Sequence, residues 1–168
     1  MTGNSCQDWA EKCADLNVQG YITKPIDVEN LIFRIKRLLG MEDFEVLREQ
    51  WGPDYETRIA AISPTIKKAL YYIGLNYQQD LTRNKVAGYL NISPDYLSRQ
   101  FHKECELHLM EYLNQVRMHK SRQLLRDGNR KIKDVAASVG ITDDKYFSKV
   151  FKKHSSITPK GFRKRLLS

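Results

Sequence analysis

VAGYLNISPDYLSRQFHK (Val86–Lys103) and VAASVGITDDKYFSKVFKK (Val135–Lys153) are one passage written twice. Allowing one gap near Lys145, each reads Val-Ala, two residues, Leu or Val, one residue, Ile, Ser or Thr, and an acidic residue. Tyr, Leu or Phe, Ser, Arg or Lys, one residue, Phe, one residue and Lys follow. A fixed internal period means that a supersecondary unit is repeated.

In the first copy Thr82 can cap a short helix whose inner face is Val86, Ala87 and Leu90. Asn91-Ile92 makes a turn, because Asn tolerates left-handed backbone. Ser93-Pro94 then starts a second helix with Leu97 and Phe101 inward. The second copy repeats this with Val135, Ala136 and Val139, then Gly140 at the turn, then Ile141, Phe147 and Phe151. Helix, tight turn and helix around a small crossing residue is the helix-turn-helix pattern. Two such units are expected, at about residues 82–104 and 131–154.

The second helix of each unit has an outward face that is short, polar and positive. A helix read through a DNA major groove needs that inventory: Arg or Lys for guanine, small hydroxyls near bases, cations at the flanks for phosphate. The expected base-reading residues are Ser93, Asp95, Ser98 and Arg99 in the first unit, and Asp144, Lys145, Ser148 and Lys149 in the second. The expected phosphate contacts are Lys103, Arg117, Lys120, Lys152 and Lys153. Between the copies, Leu109, Tyr112, Leu113, Val116, Leu124 and Leu125 predict a linking helix stopped by Gly128. At ~19 residues it spans roughly 28 Å. That approaches the ~34 Å turn of duplex DNA, so two reading helices in successive major grooves are expected, with some bending of the DNA.

Charge points the same way. The chain of 168 residues carries a formal net charge of +8. Residues 1–63 hold 7 Lys+Arg against 11 Asp+Glu, whereas residues 64–168 hold 21 against 9. A basic second half suggests a polyanionic partner. No apolar run has the length of a membrane span. Three cysteines without CxxC spacing read as reduced thiols of a cytoplasmic protein. His102, Cys105 and His108 are three apart but lack an evident fourth ligand, so neither a metal site nor a cofactor is expected. No catalytic constellation is present, and the chain is not expected to be an enzyme.

Residues 1–40 read as helix, strand and helix. Cys6, Trp9, Ala10, Cys13 and Leu16 share one face; GYIT is β-prone; Leu31, Ile32, Ile35, Leu38 and Leu39 form a second stripe. A single strand has no ladder partner, so this is an incomplete α/β unit. Residues 41–63 read as a packed linker, with Phe44, Leu47 and Trp51 on one face before Gly52-Pro53, and further helical turns between Tyr55 and Ile62.

Two stretches resemble known families. GYITKPID followed by a helix resembles the end of a response-regulator receiver domain. That resemblance implies that Thr2 is the hydroxyl residue, Tyr21 the switch aromatic and Lys24 the phosphoryl-pairing lysine, with the phospho-accepting aspartate absent from this chain. Residues 64–168 resemble an AraC/XylS-type DNA-binding domain, on SPDYLSRQF, RMHKSRQLL, DDKYFSKVFKK and TPKGFRKR. Glu106 and Ser156 depart from that pattern, standing where a glycine usually follows each reading helix; Ser121 and Ile141 depart from a usual alanine and phenylalanine. Together the resemblances imply a mainly α protein: a seven-helix domain with two helix-turn-helix units behind a receiver remnant. The implied function is sequence-specific transcription regulation on double-stranded DNA by a fragment of a two-component regulator. The alternative is a protein-interaction module that self-associates through residues 1–40.

Overall fold

A computed structural model describes residues 44–126 and 130–166. The expected receiver remnant, with Thr2, Tyr21 and Lys24, and the stop at Gly128 lie outside the described residues. What is described is helical throughout: α1 (Glu45–Trp51), a 3-10 turn (Gly52–Asp54), α2 (Tyr55–Ala61), α3 (Pro64–Asn76), α4 (Arg83–Tyr89), α5 (Pro94–Cys105), α6 (Leu109–Arg126), α7 (Ile132–Ser138), α8 (Asp144–Ser155) and α9 (Pro159–Leu166). The seven helices α3–α9 are the expected seven-helix domain.

Helix starts follow from capping chemistry. The side chains of Ser63, Thr82, Ser93 and Asp143 accept from the backbone N–H of Ile66, Lys85, Tyr96 and Tyr146. Each satisfies a donor the helix itself leaves unpaired, and Pro64 and Pro94 have no donor to satisfy. The two turns between helices are the same motif at the level of single hydrogen bonds. In the first, Asn91 N–H donates to Gly88 O and Ile92 N–H to Ala87 O, both at 3.1 Å. In the second, Gly140 N–H donates to Ala137 O and Ile141 N–H to Ala136 O, both at 3.0 Å. This is the Schellman end, which requires a positive φ at its penultimate residue; Asn91 has 54° and Gly140 has 78°.

The 18-residue α6 is the centre of the packing. It touches α3 and α5 on one side and α7, α8 and α9 on the other. Leu109, Leu113, Met118 and Leu125 are buried along it. Phe101 and Tyr112 meet at 5.7 Å on the first side, and Phe151 packs edge-on against Phe162 at 5.6 Å on the second. Among the described residues, no extensive helix packing joins α4 or α5 directly to α7 or α8.

The stretch expected as a linker is folded from Phe44 onward. Phe44, Val46, Leu47, Trp51, Tyr55, Ile59 and Ile62 are all buried, and α1 packs on α6. Gly52 (φ 52°) and Pro53 separate α1 from α2, as the sequence suggested. The Tyr55 hydroxyl accepts from Phe44 N–H at 3.0 Å, and Arg58 stacks over Trp51 at 4.4 Å. On the polar side His119 meets Glu45 at 2.7 Å and Glu49 at 3.2 Å, while Arg122 meets Glu49 at 3.1 Å. The segment is therefore part of the domain's core.

Candidate nucleic-acid interface

Counting from their capping residues, α5 and α8 place equivalent side chains at equivalent positions. Asp95 matches Lys145, Tyr96 matches Tyr146, Ser98 matches Ser148 and Arg99 matches Lys149. At ~100° per residue the second, third and sixth positions share one face, and the fifth lies at its edge. Asp95, Tyr96, Arg99, Lys145, Tyr146 and Lys149 are exposed, whereas Ser98 and Ser148 are half-buried. The fourth positions, Leu97 and Phe147, are fully buried, which fixes each helix's rotation.

The expected residues are not all equally free. Ser93 caps α5, accepting from Tyr96 N–H at 3.2 Å. Ser98 donates to Pro94 O at 2.9 Å, leaving its lone pairs for a base. Asp95 pairs with Arg83 at 3.4 Å. Asp144 is exposed in the first turn of α8, beside the Asp143 cap. Lys103, Lys152 and Lys153 are exposed near the ends of α5 and α8, and Lys120 is half-buried on α6.

Arg117 requires a correction. It was expected on the phosphate-facing surface, yet it is 8% exposed. Its Nε donates to Tyr77 O and its Nη2 to Gln79 O, each at 2.8 Å. Burial lowers its guanidinium pKa from the ordinary value. Its donors are turned into the protein, so it is not part of a phosphate-contacting surface.

Tyr96 and Tyr146 were missed. They are 44% and 47% exposed in the middle of the two candidate faces. Tyr146 Oη lies 3.5 Å from Asn114 Nδ2 on α6. The signal was available, since both copies carry Tyr at this position, but an aromatic is by default assigned to a core. Cys105, by contrast, is a core residue: burial pushes its thiol up to about 12. Its neighbours His102 and His108 stack on each other at 4.6 Å.

Two tyrosine-bearing helices with matched Arg99 and Lys149, on duplicated Schellman-turn units, define a double helix-turn-helix protein. The helix-turn-helix domain family matches residues 86–165. The chain is similar to the C-terminal domain of AraT, a response regulator from Geobacillus stearothermophilus, with 36% identity and a TM-score of 0.61 over 62% of this chain and 88% of that one. It is similar also to the C-terminal domain of the two-component response regulator yesN from Fusobacterium nucleatum, with 33% identity and a TM-score of 0.58 over 60% and 99%. The lactose operon transcription activator of Staphylococcus xylosus is 32% identical over 70% of this chain, which spans 42% of that relative's length. The chain belongs to the AraC-type helix-turn-helix family, and it spans less than half the length of the first curated relatives it matches. No helix among the described residues is long and apolar enough to cross a membrane.

Proposed function

We propose that this chain binds double-stranded DNA sequence-specifically, with α5 and α8 in two successive major grooves. The observation that carries the reading is the matched pair of outward faces on α5 and α8, two helices that both pack on the 18-residue α6. That helix is about 27 Å long, so the duplex must curve toward the protein for both faces to engage. Arg99 reads guanine by its planar two-pronged donor set, and Ser98 accepts from a base edge. Lys145, Ser148 and Lys149 form the second reading set. Tyr96 and Tyr146 offer apolar ring faces to thymine methyl groups. Lys103, Lys152 and Lys153 contact phosphate, with Lys120 at the margin.

We also propose that the chain is a fragment of a two-component regulator. GYITKPID supports that reading, as does the likeness to two response-regulator C-terminal domains.

The test is duplex binding by the full chain across salt concentrations, after selection from a random-sequence pool. A steep fall in affinity with salt, and protection of two grooves about one helical turn apart, are expected. Affinity that does not change with salt would refute the phosphate contacts, and protection of one groove would refute the two-helix reading.

A further inference from the structure

The loop before α4 and the turn before α8 lie far apart in sequence but meet beneath α6. Arg117 holds the loop with one edge of its guanidinium, Nε donating to Tyr77 O and Nη2 to Gln79 O. Gly140 closes on the same loop. A Cβ at position 140 would lie 2.7 Å from Gln78 C and 3.0 Å from Tyr77 O, and closer still to Gln78 O. The loop continues directly into the first unit: Leu81 is buried, its N–H donates to Gln79 O at 2.8 Å, and Thr82 caps α4. Three backbone carbonyls in a row are thus fixed between the linking helix and the turn of the second unit.

A buried cation is not needed to hold such a loop against a helix; an apolar side chain packs at lower desolvation cost. What the guanidinium supplies is direction. Two donors in a rigid plane fix both the position and the rotation of a loop, which Lys cannot do. The glycine supplies close approach, since its φ of 78° and the missing Cβ let the two backbones touch.

We propose that Arg117 and Gly140 are positioning residues: through the Tyr77–Gln79 loop they set the spacing and rotational phase of α5 relative to α8. The proposal rests on the two-groove reading above. Since each base pair inserted between two half-sites advances them by ~3.4 Å and turns them by ~34°, phase is itself a specificity term.

The experiment uses the full chain and the duplex it selects. Affinity is measured on that duplex, on versions with one or two base pairs inserted or removed between the half-sites, and on a duplex carrying one half-site alone. Circular dichroism monitors folding of each variant. Wild-type protein should prefer one spacing sharply. Arg117→Met should lose about tenfold on that spacing, as when the competent arrangement falls to a tenth of the population. It should lose much less on the shifted spacings and change less than about twofold on the single half-site. Arg117→Lys, which keeps the charge and is the milder variant should Arg117→Met fail to fold, should flatten the profile in the same direction. An unchanged spacing profile in a folded variant would overturn the proposal, as would equal losses on every duplex including the single half-site. A wild-type footprint confined to one groove would instead refute the two-groove reading, and the clamp with it.

Discussion

The two helix-turn-helix units have one backbone and two chemistries. Their turns share the same pair of hydrogen bonds, and their second helices start from a side-chain cap and end on a left-handed residue. Yet α5 carries two Lys or Arg and two acids, whereas α8 carries four Lys and one acid. Asp95 turns part of the first face toward Arg83; its counterpart Lys145 is a further exposed cation. Hydrogen-bond geometry constrains the frame and leaves the outward positions free to diverge. On the proposed reading, discrimination falls mainly on the first unit and salt-sensitive grip on the second.

The sharpest way to break the comparison is at the turns. Gly140→Ala places a methyl against the Tyr77–Gln78 backbone at a positive φ. Left-handed strain and overpacking together should cost roughly 2–5 kcal/mol of unfolding free energy. Asn91→Ala meets the strain without that crowding and should cost about 1 kcal/mol. Urea unfolding of both variants decides the point, and equal losses would mean that the Gly140 contact is not limiting.

The next contrast separates reading from grip. Arg99→Ala should cost about 1–3 kcal/mol on the selected duplex and little on a duplex changed at the base it contacts. Lys152→Ala should weaken binding evenly across sequences and lower the slope of log affinity against log salt by about one. A uniform loss for Arg99→Ala would put it on the backbone and erase the difference between the units.

Most of this frame was legible from periodicity. Val86, Ala87, Leu97, Phe101, Val135, Ala136, Val139, Ile141, Phe147 and Phe151, read as inward from spacing alone, are all buried, whereas Leu90, read the same way, is half-buried. Thr82, Ser93 and Asn91 do locally what their chemistry prescribes. What spacing did not disclose depends on partners distant in sequence. Arg117 lies four residues after Leu113 and four before Ser121, on a buried stripe, but a cation is ordinarily assigned to solvent. Only the carbonyls of a loop some forty residues away make its burial tolerable. The connector was undervalued for the same reason. Phe44 and Tyr71 touch at 5.0 Å, a contact that no local pattern encodes. Tyr96 and Tyr146 show the converse, since an aromatic inside a repeat is exposed when the neighbouring fourth position already fills the core.

The smallest effect tests where the units end. Glu106 and Ser156 close α5 and α8 with φ of 57° and 60°, where a glycine is the usual occupant. The left-handed end is therefore imposed by the fold, and the residue bears the strain. Removing the side chain relieves strain but also frees the unfolded chain, so the net gain is the difference between the two. For Ser156→Gly that difference should be a stabilisation of up to about 1 kcal/mol. For Glu106→Gly it should be smaller, because the carboxylate pairs with Arg58 at 2.8 Å and links the end of α5 to α2. A partly exposed pair of this kind contributes about 0–1 kcal/mol, enough to cancel the relief. Thermal unfolding of the two variants at low and high salt distinguishes these contributions. Salt should narrow the gap by screening the pair in the wild-type protein. A gap that is the same at both salts would mean that Arg58 and Glu106 do not stabilise the first unit, and that the two helix ends differ only in backbone strain.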